Sequence, residues 1–455
     1  MSVVVATRGL SRTVWILIVA RAVNKIGAFT LPFLGVVLTV EFRASLSQTG
    51  LILAIFGAAT IPSRLLGGQL ADRLGRRRTI VLGLVGCAVS QLWIALSHAL
   101  WSAVLATVLL GLAFEIYEPP SQAMIADVTA PEDRPAAYGL YSAALAAAGV
   151  LAGLLAAAIS HWDLRWLFVA DALTCLSCAT LVALALPADV RRDTRTGVRR
   201  EPPVSVLRRT QAEGRGHMEA EGRVYGELER RGHTEAEGRV HAELEGRGEA
   251  EGRGDAGLEV EGGLGNGGSA WRDRRLLLLL ASGTVFATIY MQLVIGIPLT
   301  LLEQGIPKSG TGVILAVSAL VLIVAQRLLR VQKLDDFRSI AIGYVLLATG
   351  LIASAFAHTL LVFLLAAVLW SLGDLFLLTR YLTQASGLAP DNARGRYLAI
   401  FGLSWGIATT IAPITVTQLL KTSGPTGLWL TSAAVAAVLA ALQPWVRRQL
   451  RPGAE

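Results

Sequence analysis

Long apolar runs, most near 20 residues in length and separated by short polar turns, recur along nearly the whole chain. They lie near residues 13–37, 49–71, 78–97, 100–124, 137–160 and 165–186, then near 275–300, 309–330, 338–357, 360–383, 396–420 and 427–447. At a helical rise of about 1.5 Å per residue, about 20 residues cross the ~30 Å hydrocarbon layer of a bilayer. The pattern predicts an all-α integral membrane fold of twelve transmembrane helices in two groups of six. The first run is longer than a signal-peptide core and has no small-residue cleavage site at its end, so it is expected to remain as the first crossing.

One stretch breaks the pattern. Residues 187–273 are poor in apolar side chains and rich in Gly, Glu and Arg, with near-copies beginning His217-Met218-Glu219-Ala220 and His233-Thr234-Glu235-Ala236. Such a composition buries too little surface to offset the entropy of ordering. It reads as a low-complexity cytoplasmic linker, disordered or weakly helical, between a bundle over residues 1–186 and a bundle over 274–455. Its nearly balanced charge presents no strong electrostatic target, and a regulatory or docking role is the alternative reading.

The short polar turns are asymmetric. Arg8 and Arg12, Arg73 to Arg78, Arg134, Arg327 to Arg338, Arg394 and Arg396, and Arg447 to Arg451 fall at alternate turns, while the turns between carry scattered charge. Excess arginine marks the cytoplasmic side, which places both termini there and the protein in the cell inner (plasma) membrane. The richest turn, Gly68-x-Leu70-Ala71-Asp72-Arg73-x-Gly75-Arg76-Arg77, resembles the signature loop between the second and third helices of the major facilitator superfamily of secondary transporters. The resemblance implies two six-helix bundles enclosing a site near the bilayer midplane. It also implies that Asp72 faces the cytoplasmic end of the eleventh helix, and that Arg76 latches to Asp127 to lock the outward-facing state. Ala130-Pro131-Glu132-Asp133 with Tyr138 and Ala389-Pro390-Asp391-Asn392 with Tyr397 recur at a constant offset, as parallel repeats of that kind require.

Ionisable groups inside a span cost about 2.5–3.5 kcal/mol each on insertion scales, so they are the candidates for chemistry. The first span holds Arg21, Asn24 and Lys25, and the fourth holds Glu115 and Glu118. Each charged pair has helical spacing for one shared face, and by helical rise the two pairs lie at compatible depths, Arg21 and Lys25 roughly 12 and 18 Å and Glu115 and Glu118 roughly 13 and 9 Å from the arginine side. These residues are expected to form a buried cluster in which a carboxylate changes protonation, as proton coupling requires. Asp374 in the tenth span repeats the position of Glu115, and Tyr290 and Gln292 of the seventh are further candidates for the substrate cavity. Two departures from the resembled exporters stand out. Thr107 occupies the place of their relay arginine, and the glycine-rich stretch Ala148–Ala157 of the fifth span has no proline.

Composition narrows the function. Of 455 residues 53% are hydrophobic, mean hydropathy is +0.56, and the net charge is +8. The basic residues sit at span ends rather than on an aromatic-interleaved patch, which points to anionic lipid headgroups rather than nucleic acid. Cys87, Cys175 and Cys178 all lie in apolar segments and read as packing. No phosphate-binding Gly-x-x-x-x-Gly-Lys loop, His-rich metal cluster or Ser/His/Asp set is present. The expectation is therefore a monomeric transporter rather than an enzyme, with no cofactor. The resemblance, taken as one to the drug:proton antiporter type of that superfamily, implies that it uses the proton gradient and exports amphipathic small molecules by alternating access. The alternative is a facilitator or symporter for a sugar, peptide or organic anion, with a membrane-embedded sensor or enzyme ranked below both.

Overall fold

A computed structural model of the chain describes residues 11–129, 134–186, 270–329, 336–389 and 394–450. All regular structure among them is helical. The linker over 187–269 and the repeated turns at 130–133 and 390–393 lie outside the described residues.

The first crossing is made of two helices, not one. Ser11 caps α1 (Arg12–Ile26), the chain breaks at Gly27–Phe29, and α2 (Thr30–Val40) completes the span. The break is possible because Gly27 lies against the sixth crossing; a β-carbon there would stand 2.0 Å from Thr174 Oγ1. The second crossing, α3 (Leu46–Leu74), begins at a capping box of Ser45 and Gln48. It is joined to α4 (Arg76–Leu96) by Gly75 alone, at φ +92°, where a side chain is disfavoured.

The fourth crossing also divides, into α5 (Leu100–Phe114) and α6 (Glu118–Asp127). Pro119 and Pro120 lack the N–H groups that would continue α5 and are tolerated only in the first turn of a new helix. α7 (Arg134–Ser160) and α8 (Arg165–Ala185) finish the first half.

The second half comprises α9 (Arg274–Glu303), α10 (Ser309–Leu329), α11 (Asp336–Ala355), α12 (Leu360–Gly387) and α13 (Arg394–Leu450). Helical assignment in α13 runs unbroken through two crossings that meet at Gly424, whose φ of +65° and ψ of −173° are not helical. Among the described residues, eleven helical stretches are long and apolar enough to span. Division of the last at Gly424 gives the twelve crossings expected from hydropathy.

Lipid-facing surface is marked by exposed leucines, and by tryptophans at both ends. Trp93, Trp101, Trp162 and Trp166 lie at one end, and Trp15, Trp271 and Trp445 at the arginine-rich end.

The two halves meet along glycine seams, where small residues let backbones touch. Between α7 and α10, a β-carbon on Gly153 would stand 2.4 Å from the Ala316 nitrogen, and one on Gly312 would stand 2.3 Å from that of Ala157. Between α3 and α13, a β-carbon on Gly57 would stand 2.3 Å from the Thr409 oxygen, and one on Gly50 would stand 2.0 Å from Thr417 Oγ1. All four glycines lie in the half of their crossing away from the arginine-rich turns. Towards those turns contact loosens, to 3.4 Å at Gly149 against Ala319 and 3.0 Å at Gly406 against Ile61.

Candidate functional site

Two polar centres interrupt the apolar interior, one in each half. In the first, Arg21 on α1 forms an ion pair with Glu118 at the start of α6, their side chains 12% and 20% exposed. Arg21 Nη1 donates to Asn24 Oδ1 at 2.9 Å and Nε donates to Tyr141 Oη of α7 at 3.1 Å. Its guanidinium lies over the Tyr117 ring, 4.7 Å from the centroid. Asn24 accepts from Tyr117 Oη at 3.3 Å and donates to Cys175 Sγ at 3.2 Å. Three crossings thus meet at one guanidinium, and Asn24 ties in the sixth through Cys175. The expected union of Arg21, Asn24 and Glu118 holds in this geometry.

Glu115 and Lys25 behave otherwise. The three-residue spacing of Glu115 and Glu118 predicts one shared face, but α5 ends between them and Glu115 becomes its C-cap. Glu115 faces Arg64 of α3 instead, at 3.9 Å, and its backbone N–H donates to Ser63 Oγ at 3.0 Å. Arg64 is 51% exposed, which makes this a wet, loose pair. Lys25 lies at the end of α1, is exposed, and has no hydrogen bond or ion pair among the described residues. It remains within electrostatic range of Arg21, Glu118 and Asp171.

The second centre is a cavity of about 50 Å³ in the carboxy-terminal half, room for a few water molecules. Tyr290, Ile297, Trp370 and Asp374 are among its walls, and among the described residues Asp374 is the only charged one lining it. Asp374 is 2% exposed, and its Oδ1 has no hydrogen-bond partner. The Tyr290 ring meets Trp405 edge-on at 5.3 Å between centroids. Asp374 therefore repeats the sequence position of Glu115 without its surroundings: one is buried beside a small cavity, the other sits at a helix break facing a half-exposed arginine. Gln292 is turned to packing. It donates to Thr415 at 3.0 Å and accepts from Ser432 at 2.9 Å, which ties α9 to both crossings of α13.

The residues expected to gate are spread along the arginine-rich turn. Gly75 supplies its positive φ. The tight glycine is Gly67, whose β-carbon would stand 2.5 Å from the Ile116 oxygen, while Gly68 has open space around it. Asp72 and Arg73 are exposed. Arg77 donates to the Ala183 carbonyl and so ties the turn to the end of α8. Arg76 is half-buried, and the Asp127 side chain expected to latch it lies outside the described residues.

Three participants escaped sequence reading. Arg64 sits close to the arginine turn and reads as its border. Asp171 of α8 is a single acid in an apolar run, accepting from Thr30 Oγ1 at 2.7 Å. Cys175, read as packing, joins Asn24 to that acid, its thiol 3.8 Å from Asp171 Oδ1. The isolated acid in α8 is the signal that marks this group.

Comparison with known proteins agrees with this architecture. Residues 14–413 match the family profile described as Major Facilitator Superfamily. The multidrug resistance protein MdtH of Salmonella typhimurium is 30% identical over 138 residues, 30% of this chain and 34% of that protein. An uncharacterised MFS-type transporter, YqjV of Bacillus subtilis, is 27% identical over 132 residues, 29% of this chain and 32% of that one. The alignments thus span about a third of either relative. Among solved structures, a peptide transporter POT in complex with sulfate superposes with a TM-score of 0.68 at 13% identity, covering 98% of this chain and 96% of that one. A D-xylose-proton symporter gives 0.66 at 13% identity, over 94% and 96%.

Proposed function

The chain belongs to the Major Facilitator Superfamily of membrane transporters, and we propose that within it the protein exchanges protons for amphipathic organic cations, in the direction of export. The observation that carries this reading is Asp374. A buried carboxylate without a counter-charge is costly. The site is balanced either by a proton on the carboxyl or by the positive charge of a bound solute. Aromatic and aliphatic walls suit the apolar part of such a solute, and one carboxylate serving two exclusive occupants yields exchange. The partial similarity to MdtH, a multidrug resistance protein by name, points the same way.

The amino-terminal half contributes the coupling. Protonation of Glu118 would release Arg21 from its ion pair and loosen the contacts that Arg21 makes with α6 and α7. Glu115 with Arg64 lies at the wetter edge of the same region and is assigned the first exchange of protons with water. Alternating access follows from the seams: the halves touch at the end away from the arginines, so this conformation faces the arginine-rich, cytoplasmic side. The cavity is far below the ~300 Å³ of a drug-sized site and widens on binding in this scheme.

The test is proton movement in liposomes holding purified protein, as a hydrophobic cation is added. Wild type should move protons in exchange, Asp374→Asn should not, and Glu118→Gln should bind the cation without coupled flux. Undiminished flux in Asp374→Asn would overturn the assignment. A second reading, passage of an organic anion, is favoured by unpaired Lys25; it gains if flux follows added anions and is lost in Lys25→Ala.

A further inference from the structure

Asp171 is a buried acid that the exchange scheme does not use. It lies in the first third of α8, 3% exposed. Its carboxylate accepts from the Thr30 hydroxyl at 2.7 Å and lies 3.8 Å from the Cys175 thiol. The Thr30 backbone N–H and the Gln91 amide are also within hydrogen-bonding reach. Gln91 Nε2 donates in turn to Thr30 Oγ1 at 3.1 Å. Every donor is neutral.

The ionisable surroundings can be named element by element. α1 offers Arg21 and Lys25, the first bound to Glu118 and the second at electrostatic range. α4 offers Cys87, and α8 itself Cys175 and Cys178. Tyr141 of α7 bonds to Arg21 rather than to Asp171. α2 carries no ionisable residue. No cation contacts the carboxylate among the described residues.

Position gives this acid leverage. Thr30 is the first residue of α2, whose N-cap Phe29 supplies no side-chain hydrogen bond. An N-terminus of that kind leaves N–H groups unsatisfied and favours negative charge. Asp171 supplies it from the neighbouring crossing, at the point where Gly27 lets the broken helix rest on Thr174. Contacts also run without interruption from Asp171 through Cys175, Asn24 and Arg21 to Glu118.

We propose that Asp171 is a second proton-binding carboxyl of the amino-terminal half, and that its proton occupancy is read by the break in the first crossing and shared with Glu118 through Arg21. Ionised, it caps α2 and holds the break against α8. Protonated, it loses that attraction and the break is free to change its angle. This rests on the proton-exchange reading above and adds a site to it.

The experiment is infrared difference spectroscopy of purified wild-type protein across a pH titration, beside Asp171→Asn and Thr30→Val. A protonated-carboxyl band should appear on acidification in wild type and be missing in Asp171→Asn. In Thr30→Val its midpoint should rise by about one pH unit, because the lost hydroxyl stabilised the ionised form. Thr30→Val keeps the test decisive if Asp171→Asn fails to fold. An unchanged set of bands in Asp171→Asn, or an unmoved midpoint in Thr30→Val, overturns the proposal. Liposome flux separates it from its premise. A titrating Asp171 band without solute-driven proton flux would sink the exchange reading alone, and flux with no Asp171 band would sink this site alone.

Discussion

Arg21 and Arg64 are both arginines facing a glutamate, and their surroundings make them unequal. Removing Arg21 strands Glu118 in a mostly buried place, and breaking one side of a buried pair costs about 3–5 kcal/mol. Arg64 and Glu115 are separated by 3.9 Å with the arginine half exposed, so their pair is worth at most about 1 kcal/mol. Arg21→Ala should lower the thermal melting point of purified protein by many degrees and Arg64→Ala by little, with part of the Arg21 loss recovered in Arg21→Ala/Glu118→Gln. Equal melting shifts would count against this account. At this scale the sequence showed which residues carry charge inside a span but not which of them meet. Spacing on an ideal helix joins Glu115 to Glu118 and Arg21 to Lys25. Local geometry separates the first pair, because Pro119 and Pro120 start a new helix; Arg21 and Lys25 stay together on α1, but only Arg21 reaches a glutamate. Asp171 has no charged partner at helical spacing, so its lone place in an apolar run marks it without saying what it meets.

Among the elements, the broken first crossing is the one whose interruption hydropathy could not show. Its two parts together have ordinary apolar length, so the run over 13–37 reads as one helix. What marks the break is Gly27 beside Thr174, a contact between residues far apart in sequence. Gly27→Ala would drive a methyl into the threonine side chain and should destabilise the protein by about 1–3 kcal/mol, the range for overpacking. Thr174→Ala should restore part of that loss in the double variant, read as thermal melting. Failure of the second substitution to help would place the cost elsewhere. By contrast, the hinge between α3 and α4 was legible, since Gly75 lies within the resembled turn and takes the positive φ that only glycine adopts readily.

For the whole molecule, number and order of crossings followed from apolar length alone, and the join at Gly424 is the one place where helical continuity hides a boundary. The contacts between halves were not legible, because small residues at a seam look like any other alanine- and glycine-rich stretch. Those contacts carry a direct expectation. Gly153→Val puts side-chain atoms against the α10 backbone, which cannot yield as a flexible side chain would. Transport in liposomes should fall to background while binding of the transported solute in detergent persists; loss of both together would mean general misfolding rather than a blocked closure.

The seams have an electrical consequence. Where glycine backbones touch at Gly153 and Gly312, and at Gly57 and Thr409, there is little space for a file of water. Towards the arginine-rich turns Arg64 is half exposed, and in the proposed scheme that side is open to water. Voltage falls across insulating material and hardly at all across water, so the membrane potential is concentrated on the short stretch the seams close. A charge moving between the interior and the sealed side therefore crosses most of the field over a fraction of the bilayer thickness, at about 2.3 kcal/mol per elementary charge per 100 mV.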